Sequence, residues 1–95
     1  MAISLCVLLW AKPGMAEAMS AHEDSVLRLV GNHGGRVVQR AVTDGSEGRP
    51  REIHLLTFES QQALDGYLQD DRRLALAGER DRTVARAETM NIELR

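Results

Sequence analysis

The segment from Ile3 to Trp10 limits the possible folds most, because it is apolar on both of its faces. The whole apolar run, Ala2 to Ala11, is only about ten residues long, whereas a membrane span needs about twenty. It lacks the basic start of a signal peptide, and Lys12-Pro13-Gly14 follows it at once. The run therefore predicts a central strand that is covered on both sides, in a protein that we expect to be cytoplasmic.

The other elements are predicted from hydrophobic spacing and turn signals. In chain order they are a helix from Met15 to Asn32 closed by His33-Gly34-Gly35, a strand Arg36 to Val42, a loop Thr43 to Pro50, a strand Glu52 to Phe58, a helix capped by Ser60 and running to about Gln69, a short helix from Asp70 or Asp71 to about Arg82, and a strand from about Ala87 to Leu94.

This order, βαββαβ, predicts one α+β domain over residues 1–95, with a four-stranded antiparallel sheet and both helices on one face. A chain of 95 residues buries only about 60–65% of its unfolded surface, so its core is small. Two helices leave one sheet face uncovered, and we expect a second copy to cover it, giving a homodimer. Cys6, Leu8 and Trp10 are predicted to lie at or near that interface.

A small-molecule pocket is predicted between the sheet and the helices, where Leu5, Val7 and Leu9 should face the helices. His54 alternates with apolar neighbours in the third strand, and His22 and Tyr67 lie on the apolar stripes of the two helices. An imidazole changes charge near neutral pH, so His54 and His22 suit general acid–base catalysis. Each histidine could instead be a core residue that is bonded within the protein, and Tyr67 could simply fill the core.

Composition argues against several partners. The net charge is −2 and the chain has three aromatic residues, which is unlike nucleic-acid-binding domains of the same βαββαβ order. The histidines lie in separate elements and Cys6 is the only cysteine, so we expect neither a metal site nor a disulfide. No Rossmann fingerprint is present, there is little room for haem, and we expect no cofactor and no membrane partner.

Several short motifs resemble the dimeric α/β-barrel superfamily of ferredoxin-like domains, and within it the domain-of-unknown-function 1330 group. The likeness extends over almost the whole chain. Its residues are His33-Gly34-Gly35-Arg36 with Arg40, Leu56-Thr57-Phe58-Glu59-Ser60, Ala63-Leu64, Tyr67-Leu68 and Arg80.

The resemblance implies a fold shared with antibiotic-biosynthesis monooxygenases and polyketide cyclases. A plant polyketide cyclase is similar around Thr57 to Ser60, and its pocket tyrosine matches Tyr67. Its two catalytic histidines match Glu52 and Arg73 here, so these two residues are expected to border a substrate, although the same cyclisation is not implied. From the residues alone, Glu52 could instead be solvated or paired with Arg40 or Arg51, and Arg73 could be a helix-start charge.

Two functions remain open at this stage. One is a cofactor-independent enzyme, cyclase-like or monooxygenase-like, that acts on an aromatic or polyketide-like carbonyl compound through His54, His22 and Tyr67. The other is a non-catalytic dimer that binds a small ligand or acts as an accessory protein. A shared cavity of roughly 200–300 Å³ or more, bordered by all three side chains, would favour the enzyme.

Overall fold

A computed structural model describes all 95 residues and contains one four-stranded antiparallel sheet with the strand order β2-β3-β1-β4. The strands are β1 (Ile3–Ala11), β2 (Gly35–Val42), β3 (Glu52–Phe58) and β4 (Val84–Ile92), and the helices are α1 (Ala16–Leu27), α2 (Gln61–Leu68), α3 (Asp71–Leu74) and α4 (Ala77–Thr83). The predicted fold class is confirmed, with β1 central as expected from its apolar faces.

The register of the sheet separates its two faces. Leu5 pairs with Leu56, Val7 with His54 and Leu9 with Glu52, so these side chains share the face that the helices cover. Cys6 pairs with Leu55 and Leu8 with Ile53 on the opposite, open face. The prediction that Leu5, Val7, Leu9 and His54 face the helices is confirmed, because all four border a cavity whose other walls are helical.

The buried core lies beside the 3-10 turn that follows α1. Its members are Leu5, Leu29, Val30, Leu56, Phe58 and Tyr67. Gly35 is required where β2 begins, because a Cβ there would lie 2.6 Å from the Phe58 ring and 2.7 Å from Val30. Gly34 has the left-handed backbone conformation expected of a cap (φ 67°).

Two predicted helices differ in extent from the structure. The α-helix α1 ends at Leu27 rather than Asn32, and a 3-10 turn (Val30–His33) continues the chain, consistent with the low helix propensity of Gly31 and Asn32. The predicted helix beyond Asp70 is broken into α3 and α4. The predicted cap Ser60 is confirmed, since its side chain accepts a hydrogen bond from the Ala63 amide at 3.1 Å. Asp70, one of the two predicted starts of the next helix, accepts a hydrogen bond from the Arg72 amide at 2.8 Å.

The last strand also begins earlier than predicted, at Val84 rather than Ala87. Val84 pairs with Ala11 just beyond a bulge next to Trp10, so β4 pairs with β1 from Ser4 to Ala11. The longest helix has 12 residues, and none of the helices is long and apolar enough to cross a membrane.

Candidate functional site

A cavity of about 530 Å³ lies between the helix-covered face of the sheet and helices α1 to α4. Its volume is within the range typical of small-molecule sites. Thirteen of its nineteen wall residues are hydrophobic, and the sheet contributes Leu5, Val7, Leu9 and Leu56. The polar wall residues are His22, Glu23, His54, Arg73, Arg80 and Thr89.

The three residues predicted to carry chemistry all border this cavity. His54 comes from β3, His22 from α1 and Tyr67 from α2, and all are buried. Arg73 also lines the cavity. The structure thus brings together every predicted site residue except Glu52.

Glu52 lies behind His54, outside the cavity wall, and its side chain is fully buried. Its carboxylate accepts hydrogen bonds from Arg40 Nε at 2.7 Å, from Arg40 Nη2 at 2.9 Å and from Ser20 Oγ at 2.5 Å. The expectation that Glu52 borders a substrate is therefore corrected. Its oxygens are occupied by protein donors, and of the alternatives that the sequence left open for Glu52, the structure contains the pairing with Arg40.

The pKa of Glu52 is held near 2 by these contacts. Burial by itself raises the pKa, but hydrogen bonds from His54, Arg40 and Ser20 outweigh it. Arg40 is held in turn, because its hydrogen bond to Glu52 raises the guanidinium pKa, and a second contact joins it to Asp24 at 2.5 Å. The carboxylate is thus ionised and fully partnered.

His54 is oriented by this carboxylate. Its Nε2 lies 2.7 Å from Glu52 Oε1, and an ionised carboxylate can only accept a hydrogen bond, so Nε2 carries a proton. In the neutral ring the lone pair is then on Nδ1, which lies 3.9 Å from Glu23 Oε1, an atom of another wall residue. A carboxylate that fixes the histidine tautomer in this way is the arrangement that prepares an imidazole to act as a base.

Glu23 is a site residue that the sequence reasoning missed. It is buried on α1, 3.7 Å from His22 Nε2 and 3.9 Å from His54 Nδ1, and burial raises the pKa of its carboxyl group. A signal was available, because Glu23 occupies the same helical stripe as Met19 and Val26, at spacings of four and three. The stripe was interpreted through His22 alone.

His22 and Tyr67 differ in how well their polar atoms are partnered. The Nδ1 atom of His22 is buried without a protein partner, and burial lowers the pKa of this imidazole. The Tyr67 hydroxyl donates a hydrogen bond of 3.3 Å to the Val26 carbonyl, and burial raises its pKa. The Tyr67 hydroxyl therefore has a hydrogen-bond partner in the backbone, whereas His22 has a buried nitrogen without one.

Arg73 is not a helix-start charge, as one interpretation of the sequence suggested. Asp70 supplies the acidic cap of α3, and Arg73 turns inward with its guanidinium carbon 5.0 Å from the centre of the Tyr67 ring. Its Nε is buried and has no protein acceptor. Within the chain, no group of three or more His, Cys, Asp or Glu side chains is arranged to hold a metal ion.

Comparison with solved structures supports the fold. A protein of unknown function from Rhodopseudomonas palustris is 16% identical with a TM-score of 0.80, over 99% of this chain and 83% of that chain. A nipsnap family protein of unknown function from Agrobacterium tumefaciens is 19% identical with a TM-score of 0.76, over 98% and 87%. A protein from Bacteroides fragilis, described as dimeric and ferredoxin-like, is 10% identical with a TM-score of 0.68, over 98% and 96%.

These likenesses establish that the chain has a ferredoxin-like fold. No protein-family model and no curated protein matches the sequence. The neighbours whose descriptions mention function are of unknown function, so the chemistry has to be argued from the cavity itself.

Proposed function

We propose that this chain is a small cofactor-independent enzyme that transfers protons on an aromatic or polyketide-like carbonyl compound. The observation that carries the proposal is the His54–Glu52 pair at the cavity, with Nε2 bonded to the carboxylate at 2.7 Å and Nδ1 on the side of Glu23. A base needs this tautomer and a nearby negative charge that stabilises the imidazolium once it forms.

The proposed step is removal of a proton from the carbon next to a carbonyl group. The proton moves to His54 Nδ1, and the electron pair of the broken C–H bond moves to the carbonyl oxygen and forms an enolate. His22, whose neutral form is favoured by burial and whose Nδ1 has no protein partner, is the wall group available to donate to that oxygen, because the Tyr67 hydroxyl already donates its proton to the Val26 carbonyl. Glu23, whose Oε1 lies 3.9 Å from His54 Nδ1 and whose pKa is raised by burial, can return a proton to the carbon, and the proton held by His54 Nδ1 then restores Glu23.

Cyclase-like chemistry fits this arrangement better than monooxygenase-like chemistry. Ring closure by an enolate needs only a base, an acid and a closed apolar space, and the cavity supplies groups of each kind. Oxygenation would in addition require dioxygen as a co-substrate. The resemblance to polyketide cyclases supports this choice. The proposed base differs, however, because Glu52 orients His54 and His54 accepts the proton.

Deuterium exchange on a model ketone tests the proposal without knowledge of the natural substrate. Methyl naphthyl ketone in D2O should lose its methyl proton signal faster with the protein than with free imidazole at the same concentration. His54→Gln should reduce the enzyme's rate by about 100-fold or more. His33→Gln is the matched control, because His33 does not line the cavity and should leave the rate unchanged.

The second candidate is a non-catalytic dimer that binds a small ligand. The Tyr67 hydroxyl bond to the Val26 carbonyl favours it, because a tyrosine so partnered can be a core residue. If the ketone perturbs the amide NMR signals of cavity residues but exchanges no faster than in imidazole, the enzyme proposal is wrong and this candidate stands.

A homodimer is part of both proposals. The open face carries Cys6, Leu8, Ile53, Leu55 and Ile92, which are only half-buried in the single chain, and Met90, which is 43% exposed. Trp10 is partly covered within its own chain, since its indole donates to the Gly48 carbonyl at 2.8 Å and Arg86 stacks 4.4 Å above the ring. An apolar face of this kind is stabilised by a second copy.

Sedimentation equilibrium tests the dimer. The natural chain should have twice the monomer mass, and Leu55→Lys, in the middle of the open face, should halve it. Val42→Lys is the control, because Val42 is 53% exposed and lies on the other face of an edge strand. A natural chain that is monomeric at micromolar concentration would contradict the dimer.

A further inference from the structure

Arg73 is a cavity-wall cation without an anionic partner. Arg72, the preceding residue, and Arg82, in α4, each pair with a carboxylate at 2.7 Å, with Asp70 and Glu79 respectively. Arg73 instead contacts the neutral Tyr67, with its guanidinium carbon 5.0 Å from the ring centre and a hydrogen bond to the hydroxyl, and its buried Nε has no protein acceptor. Burial raises the tyrosine pKa, and this hydrogen bond offsets part of the rise. A ring face compensates a guanidinium only in part, because it accepts none of the in-plane hydrogen bonds.

Other wall groups favour the same kind of guest. Arg80 is a second cation of the cavity wall, and the Nδ1 atom of the buried His22 also has no protein partner. The carboxylate of Glu52 lies behind His54 and is matched by Arg40. Glu23 is the only acidic wall residue, and burial raises the pKa of its carboxyl group.

The rest of the wall limits the body of the guest. Residues from the sheet and from all four helices make most of the wall apolar, and Tyr67 provides an aromatic surface. A strongly hydrated ion would lose its water there without replacement, whereas an apolar body would gain from burial.

We infer that the natural ligand is an apolar, aromatic or polyketide-like molecule that carries one oxyanion, such as a carboxylate, bound on the Arg73 side of the cavity with its body against the leucine-rich wall. This inference rests on the proposed function and adds the charge of the ligand to it. It assigns Arg73 a binding role that is separate from the proton transfer at His54.

A pair of probes of equal shape tests the charge. Naphthoate and its neutral amide, naphthamide, are titrated into the isotope-labelled protein, and amide NMR shifts report both the affinity and the location. Naphthoate should bind at least about tenfold more tightly than naphthamide, with shifts at cavity residues such as His54 and Tyr67.

Variants assign that preference to Arg73. Arg73→Gln should reduce the ratio of the two affinities to about one, and Arg73→Lys, which keeps the charge, should retain part of it. Arg28→Gln removes an exposed arginine beyond the end of α1 and should change nothing. The preference of the natural chain for naphthoate over naphthamide tests the charge of the ligand without any variant. This part of the test therefore stands even if one variant folds poorly.

The outcomes separate this inference from the function it rests on. If both probes bind in the cavity equally well, or if the preference survives Arg73→Gln, the oxyanion inference is wrong while the ketone-exchange proposal is untouched. If neither probe binds at about 1 mM, the cavity is not a ligand site and both are overturned.

Discussion

Two groups of polar side chains meet at α1, and they are partnered very differently. The Glu52 network, consisting of Glu52, Arg40, Ser20, Asp24 and His54, has its charges matched at distances of 2.5–2.9 Å. The unmatched wall group, consisting of His22, Glu23 and Arg73, has two buried nitrogens without partners and a carboxyl that reaches its neighbours only at 3.7–3.9 Å.

The difference separates a structural role from a binding role. A buried charge with every partner in place stabilises one arrangement and leaves nothing for a ligand. A buried polar group without partners costs stability, and a ligand can recover that cost when it binds. His54 belongs to the network through Nε2 and borders the cavity, and it is thus the link between the two groups.

Removing the cation of the Glu52 network should have the largest effect. Arg40→Met leaves an ionised carboxylate buried without its main partner, and should lower the free energy of unfolding by about 3–5 kcal/mol in urea titrations. Arg28→Met, at an exposed position beyond the end of α1, should change it by less than about 0.5 kcal/mol. A cost below about 1 kcal/mol for Arg40→Met would remove the contrast between the two groups.

Neutralising the carboxylate should have a smaller effect that depends on pH. The folded pKa of Glu52 is about 2, below its ordinary 4.5, so its stabilisation is complete above 4.5 and is lost as the pH falls towards 2. Glu52→Gln should lower the free energy of unfolding by about 2 kcal/mol at neutral pH, and this free energy should then fall less steeply between pH 4.5 and 2. If the loss of stability at acid pH were unchanged in this variant, other carboxylates would be responsible for it.

The unmatched wall group should respond with the opposite sign. Burial raises the folded pKa of Glu23, so the wild-type chain loses stability as the pH rises above the ordinary value of 4.5. Glu23→Gln should therefore stabilise the protein at neutral pH, by up to about 1 kcal/mol, with no gain below 4.5. Asp24 is the next residue but belongs to the Glu52 network, so Asp24→Asn should destabilise the protein slightly. If Glu23→Gln also lowered the free energy of unfolding, Glu23 would belong to the network as well.

His22 should give the smallest change. Burial lowers its folded pKa, so this group's contribution is constant above its ordinary value of 6.5 and declines as the pH falls below it. His22→Leu should alter stability by only about 0.5 kcal/mol at neutral pH, because its Nδ1 has no protein partner to lose, and it should reduce the decline below 6.5. Thermal unfolding across that pH range measures both effects, and a large loss at neutral pH would reveal a partner for His22.

Much of the fold could be predicted because it follows from local pattern. The bounds of β3 are as predicted, and its alternation places Glu52 and His54 on the buried face together with Leu56 and Phe58. The convergence of His54, His22 and Tyr67 followed from assigning each to the apolar side of its own element. Their catalytic role stays a prediction.

The errors concern residues whose partners are distant in sequence. Glu23 was overlooked because carboxylates are seldom buried, although it lies on the apolar stripe of α1. Arg73 was weighed as a helix-start charge because Asp70 and Asp71 precede it, yet only the packing of α3 against α2 places it over Tyr67. For Glu52, the sequence left Arg40 and Arg51 as equal partners, and the structure pairs Arg51 with Glu17 instead.

The sequence by itself determined the order of the elements, the central place of β1 and the face on which each strand residue lies. These follow from side-chain periodicity, which depends only on near neighbours. Tertiary structure alone decided which buried charges are matched and which are left open at the cavity. The contacts that match Glu52 with Arg40 and with Ser20 join residues 12 and 32 positions apart, and they form only when separate elements pack together.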